Sequence, residues 1–158
     1  MTDIIAEKIA EAVRLQDEKK RIEDELARKK AEEQRIEKER LQGIKELWDN
    51  FTRDAIINAL SRADLELGKI GGRLYHSYEV EDRSNKVIAR YNFTVCPPPS
   101  FGPNEFNCYI TLFKTGVVAF SRQHDPYNEK VERSIDSIDE NAINEIFGGM
   151  LLSILRPR

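Results

Sequence analysis

The N-terminal stretch from Met1 to Leu67 has no proline and a single glycine, Gly43. Proline and glycine are the residues that interrupt helices most strongly, so a stretch this free of them strongly favours one continuous helix. Between Asp17 and Arg40 the chain consists mainly of strong helix formers in which acidic and basic residues are interleaved. We therefore predict a long N-terminal helix.

A seven-residue repeat within this helix is typical of a coiled coil. Its first core position holds Ile5, Ala12, Lys19, Leu26, Glu33, Arg40 and Leu47, and its second holds Leu15, Ile22, Lys29 and Ile36. Polar residues at such positions weaken a coiled coil but fix its register. Residues 1–43 are therefore predicted to form a homodimer or higher oligomer through the apolar core residues. The predicted interface is Ile5, Ala12, Leu15, Ile22, Leu26 and Ile36. The alternative is a solvated single helix held by its own charge pairs.

Residues 44–67 continue the helix with a wider apolar stripe. Leu47, Trp48, Phe51 and Ala55 lie on it, and a stripe this broad and aromatic faces a protein core. We expect this segment to pack on the second half of the chain. The glycine-rich sequence ELGKIGG then ends the helix.

Beyond Gly72 the apolar residues recur with a period of two, which indicates strands. The runs RLYHSYEV, KVIARYNFTV, NCYITLF and VVAFSR predict a four-stranded antiparallel meander over residues 73–122. The turn of the first hairpin is predicted at residues 81–85, and Gly116 supplies the turn of the second. Residues 138–155 predict an amphipathic helix, capped by Ser137 or Asp139. The fold class is therefore α+β, with a small head domain at residues 44–158 that follows the coiled coil.

The alternation predicts one apolar and one mixed face of the sheet. In the simplest register the apolar face holds Val87, Ala89, Tyr91, Phe93, Val95, Cys108, Ile110, Leu112, Val118 and Phe120. The mixed face carries Arg90, Asn92 and Tyr109, a combination that suits a nucleotide or nucleic-acid ligand. The competing interpretation is that the Trp48–Leu60 helix covers this mixed face.

The sequence VCPPPSFGPNEFNCY, from Val95 to Tyr109, predicts a loop that its prolines stiffen. A stiff loop presents side chains at low entropic cost, so Phe101, Asn104 and Phe106 are candidate contacts for a protein partner, together with Arg122. The other interpretation is a plain connection whose two aromatic rings fold back onto the core.

Neither the cysteines nor the histidines indicate a metal or catalytic centre. Cys96 and Cys108 lack the close pairing that zinc sites show, and Cys108 fits a buried strand position. His124 and Asp125 are adjacent in a polar loop without a nucleophile motif, so an enzyme that uses them is the least favoured alternative. We predict no metal, no cofactor and no catalytic residues.

Two adjacent glycines, Gly148 and Gly149, interrupt the apolar C-terminal helix at about 1 kcal/mol each. Close approach of another backbone would compensate for that cost. We expect either the sheet beneath or a second subunit to make this approach, with Leu152 in the subunit contact.

Composition restricts the function classes. A net charge of −3 argues against nucleic-acid binding by bulk attraction, and the apolar run MLLSIL is too short to span a bilayer. No secretory signal opens the sequence, so we expect a cytoplasmic protein without membrane contact. The predicted function is a non-enzymatic adaptor that self-associates through its helix and recognises a partner through its head.

Overall fold

The computed structural model describes residues 3–80, 86–123 and 130–156. The chain divides into two compact units, Met1–Gln42 and Gly43–Arg158. Among the described residues, no helix combines the length and the apolar character that crossing a bilayer requires.

Five helical segments and five strands lie in the part of the chain that the structure describes. The helices are α1 (Ile4–Leu47), a π-helical turn (Trp48–Thr52), α2 (Arg53–Lys69) and α3 (Glu140–Leu155). The strands are β1 (Arg73–Val80), β2 (Val87–Cys96), β3 (Phe106–Phe113), β4 (Val117–Arg122) and β5 (Val131–Ser134). A single-turn 3-10 helix at Pro99–Phe101 lies in the proline-rich loop. The α+β class is therefore confirmed.

Local interactions account for the long helix. The carboxylate of Asp3 accepts hydrogen bonds from the backbone N–H groups of Ile5 and Ala6, at 3.2 and 3.3 Å, and so caps the first turn. Further along, Arg35 bonds Glu32 and Glu39 on the turns before and after it. Helical residues then follow without a break from Ile4 to Lys69, as the lack of proline predicts.

The π-helical turn changes which side of the helix is buried. A π turn inserts one extra residue and therefore rotates everything that follows it. Trp48 is 1% exposed and Thr52 is also buried, whereas Phe51 is 50% exposed and Leu47 is exposed too. The prediction that Phe51 and Leu47 face the core is therefore wrong, while the prediction for Trp48 is confirmed.

The strands form one antiparallel sheet in the order β1-β2-β3-β4-β5. The sequence predicts four strands, and β5 is the one it misses. Val131 is the only apolar residue of this four-residue strand, so its composition carries no alternating signal. Gly116, at φ 86°, forms the predicted β3–β4 turn. The predicted turn at residues 81–85 lies outside the described residues.

One face of the sheet, here called the helix face, packs against the helices. Trp48 lies 6.1 Å from Tyr91 between ring centroids, and Phe93 lies 5.2 Å from Phe147 of α3. The apolar residues predicted for this face lie on it, with Val87 as the exception. Unbroken alternation would pair Ile88 with Phe113, but a β-bulge pairs Val87 with Phe113 instead.

Two polar groups fix the ends of the helices. The carboxylate of Asp139 accepts a 2.7 Å hydrogen bond from the N–H of Ala142, which confirms Asp139 as the cap of α3. At the other corner, Asp64 of α2 accepts a 2.9 Å bond from the N–H of Leu74 in β1. Gly72, two residues before Leu74, lies close to the backbone of β2. A Cβ atom on Gly72 would lie 2.9 Å from the carbonyl oxygen of Cys96.

Substitution of the two neighbouring aromatic residues tests the rotation at the π turn. Trp48→Ala should lower the free energy of unfolding of the head by about 3–5 kcal/mol, because it empties a fully buried site. Phe51→Ala, the matched control, should change it by about 1 kcal/mol or less. Urea unfolding followed by the near-ultraviolet circular dichroism of the tyrosines measures both. Equal losses would contradict the burial pattern.

Candidate functional site

The predicted interface residues of α1 form an exposed stripe, here called the seam: Ile5, Ala12, Leu15, Ile22, Leu26 and Ile36. Their heptad spacing places them on one side of the helix. The large side chains among them are between 48% (Ile22) and 72% (Ile5) exposed. Burying a side chain of this size stabilises a protein by about 1.5–3 kcal/mol. The seam therefore offers apolar area that this chain leaves in contact with solvent.

Charged residues run beside the seam in a regular ladder. Ile4 holds the heptad position just before the first core position Ile5, and glutamates hold it in the next five heptads: Glu11, Glu18, Glu25, Glu32 and Glu39. Arginines alternate with them three or four residues apart: Arg14, Arg21, Arg28 and Arg35. Arg35 shows how the ladder works, because its Nη1 lies 2.7 Å from Glu39 and its Nε lies 3.0 Å from Glu32. The hydrogen bond from Arg35 lowers the pKa of Glu32.

Three of the predicted ligand-binding residues meet on the face of the sheet opposite the helix face, here called the polar face. Asn92 of β2 lies directly opposite Tyr109 of β3. The Cζ atom of Arg90 lies 5.5 Å from the centroid of the Tyr109 ring, and its Nε donates a 3.3 Å hydrogen bond to Thr111. The Oδ1 atom of Asn92 is buried and has no hydrogen-bond partner among the described residues. A cation, an amide and an aromatic ring are thus brought together.

Arg122 does not join this group. Its Cα pairs with Cys108, whose side chain lies on the helix face, and its Nη1 donates a 3.0 Å hydrogen bond to Ser153 of α3. Its Cζ atom also lies 5.2 Å from the Phe106 ring. Arg122 therefore links the sheet to α3 and lies beside Phe106, on the opposite face of the sheet from Arg90 and Tyr109.

The two aromatic residues of the proline-rich loop differ in their exposure to solvent. Phe101 is 48% exposed at the end of the 3-10 turn, and Asn104 is exposed beyond it. Phe106 is half-buried under Arg122, and Pro98 is buried. The loop is therefore a connection that also displays Phe101 and Asn104.

The two thiols lie on opposite faces of the sheet, because Cys96 pairs with Arg73 on the polar face and Cys108 lies on the helix face. Both are free. Burial raises the pKa of Cys108 to about 12. Burial and, after it, the neighbouring Glu105 carboxylate raise the pKa of Cys96. Neither environment activates a thiolate.

The glycines of α3 lie in open space. Among the described residues, no atom outside the backbone of α3 comes within 4 Å of where a Cβ would stand on Gly148 or Gly149, so the described strands do not approach them. Leu152, one turn on, is exposed. Beside them an apolar groove of about 500 Å³ separates α2 from α3, with Ala63 and Phe147 in its lining. The predicted subunit contact at this surface stays a prediction.

Sequence reasoning missed a cluster that joins the start of α2 to the sheet. Nε1 of Trp48 donates a 2.9 Å hydrogen bond to Tyr78, and Nε of Arg53 donates a 3.1 Å bond to Tyr91. The Arg53 guanidinium also lies 4.0 Å from the centroid of the Tyr78 ring. Burial raises the pKa of Tyr91. The residues of this cluster are far apart in sequence, so local sequence patterns do not predict their contacts. The cluster contributes to packing of the helix on the sheet.

The candidate catalytic pair, His124 and Asp125, lies outside the described residues. Within the described ranges, no group of three or more histidine, cysteine or acidic side chains is placed to hold a metal ion.

The thiol environments predict an order of alkylation. At pH 8, iodoacetamide should modify Cys96 more slowly than a free thiol and should leave Cys108 unmodified, because both raised pKa values lower the thiolate fraction. Intact-mass measurement should therefore count one adduct in the native protein and two in urea. The variant Cys96→Ser should show none before unfolding. Fast labelling of Cys108 in the native state would contradict its burial.

Comparison with known proteins finds no relative of this chain. Neither a protein-family model, nor a curated protein, nor a solved structure matches this chain. What the protein does is therefore inferred from its own residues and contacts.

Proposed function

We propose that this chain is a non-enzymatic binding protein that self-associates through α1 and recognises a partner through its head. The observation that carries the proposal is the exposed, heptad-spaced seam. The proposal also places the protein in the cytoplasm, on the sequence grounds given above.

The balance of residues at the core positions favours a modest association. The seam supplies apolar side chains, each of which contributes when a second helix covers it. Lys19, Lys29, Glu33 and Arg40 share the same two core positions and reduce that gain. Long charged side chains limit their own cost, because the stems stay buried while the charged ends reach water. Association in the micromolar range suits such a mixed core.

Recognition by the head is proposed for Phe101 and Asn104, which are both exposed on the proline-rich loop. Aromatic residues are enriched in protein contact surfaces, and a stiff loop loses little entropy on binding. The partner proposed for this surface is another protein.

Charge-neutral double substitutions on α1 test self-association. Ile22→Ser with Leu26→Ser removes the middle of the seam and should raise the dimer Kd by about 100-fold or more, because two buried apolar side chains are lost. Lys20→Ser with Asp24→Ser adds the same serines on the outer surface of the helix and should leave the Kd nearly unchanged. Sedimentation equilibrium measures both. A monomeric wild type, or equal effects of the two variants, would contradict the proposal.

A second candidate function is binding of a nucleotide or a short single-stranded nucleic acid on the polar face. The observation that favours it is the position of the helices: Trp48 and Phe147 pack on the helix face, so the Trp48–Leu60 helix does not cover Arg90, Asn92 and Tyr109. Aromatic rings stack on bases and guanidinium groups attract phosphates, so this combination suits such a ligand.

Fluorescence anisotropy with labelled adenosine triphosphate and with labelled single-stranded RNA tests this second candidate. Tyr109→Leu should weaken binding by about tenfold, because a stacked base contributes about 1–3 kcal/mol. Arg122→Lys, on the other face, is the control and should bind as the wild type does. No binding of either probe by the folded wild type would exclude this candidate.

A further inference from the structure

The residues beside the seam also bear on how a second copy docks, an inference that rests on the proposed self-association. In a two-stranded coiled coil, the side chains that flank the core set the orientation of the helices. The acidic row of the ladder, from Glu11 to Glu39, occupies one of these two flanking positions in five successive heptads, and Ile4 occupies it before them. The other flanking position holds Ile9, Gln16, Glu23, Lys30 and Glu37.

An antiparallel dimer would place the acidic row of one helix against the same row of the other. Because every member of the row is glutamate, shifting one helix along the other does not remove the repulsion. The arginine ladder lies on the far side of this row, and Arg35 already bonds Glu32 and Glu39 within its own helix. Like charges facing each other across an interface disfavour that arrangement.

In a parallel, in-register dimer, each residue just before a first core position faces a residue of the second copy instead. That residue lies five positions later in the sequence. This pairs Glu25 with Lys30 of the second copy, and Ile4 with its Ile9. Ile4 and Ile9 are exposed in the single chain although they lie beside the seam, and only the parallel arrangement sets them against each other.

The charged core residues contribute both favourable and unfavourable pairs in this orientation. In a parallel dimer a residue at the first core position packs beside the acidic residue that precedes it on the partner helix, which sets Lys19 beside Glu18 and Arg40 beside Glu39. Three flanking pairs are unfavourable: Glu18 with Glu23, Glu32 with Glu37 and, by the same core rule, Glu33 with Glu32. Four charged core residues also meet their own copies in this arrangement: Lys19, Lys29, Glu33 and Arg40. Lys29 reaches Glu33 of the partner in either orientation, so that pair does not distinguish them.

We propose that the occupant of the seam is a second copy of this chain, docked parallel and in register. Both chains then leave the coiled coil at the same end.

Nitroxide labels on the outer surface of α1 test the orientation. Ala10→Cys and Lys38→Cys are labelled separately on a Cys96→Ser background, where the buried Cys108 stays unmodified. In the parallel dimer both variants should give label–label distances below about 30 Å, because paired helices lie close together. Residues 10 and 38 are about 42 Å apart along a helix. No antiparallel register can therefore bring both labels close to their own copies.

Each outcome is decisive. Short distances at both positions support the proposal. A dimer with a long distance at either position would overturn the parallel orientation and leave self-association intact. A monomer by sedimentation would remove the proposed function itself.

A charge reversal provides a second, independent readout. Glu23→Lys converts the repulsive Glu18–Glu23 pair into an attractive one on both sides of the dimer, and should tighten the Kd by roughly 5- to 30-fold. Asp24→Lys makes the same charge change on the outer surface and should leave the Kd nearly unchanged. Equal tightening by both variants would show an effect of net charge alone and would contradict the pairing.

Discussion

The contact of Trp48 with Tyr78 and Tyr91 determines how the head is arranged. The indole fills a fully buried site and donates its N–H to Tyr78, so that α2 begins from a fixed rotation on the sheet. The π turn makes this possible, because it brings Thr52 rather than Phe51 into the core. With α2 held in this way, one face of the sheet is occupied by helices. The face that carries Arg90 and Tyr109 is then left for other contacts.

Much of this fold is visible in the sequence, and the exceptions have physical causes. The absence of proline and the switch of apolar period near Gly72 predict the long helix and the meander, since both signals are local. The rotation at Phe51 is not local, because it depends on the fit of Trp48 to two tyrosines thirty or more residues away. The strand at Val131–Ser134 is missed because its pairing with β4, and not its composition, makes it a strand.

For the candidate sites, alternation correctly groups Arg90, Asn92 and Tyr109. The alternation does not predict which face of the sheet the helices cover. The seam follows from the heptad repeat alone, while its partner cannot be read from one chain.

The long helix combines two kinds of stabilisation that act at different distances. Arginine and glutamate pairs act within one turn, and Arg35 shows two of them at once. The seam contributes only when another surface covers it. Charge pairs alone do not account for a row of exposed isoleucine and leucine on one side of a helix. A helix with a seam alone is marginal in water until the seam is covered. In the proposed coiled coil, the charge pairs within each helix offset part of the cost of lysine and arginine at core positions.

The ladder has a consequence for the order of events in the cell. Because its bonds close within a single helix, the ladder favours the helical form of each chain whether or not a second copy is bound. In the proposed dimer, assembly is then a reversible step between folded chains. Exchange of subunits in such a dimer does not require unfolding of the strands of the head. The assembled fraction of such a dimer follows the concentration of the protein, so synthesis or degradation alone would shift it.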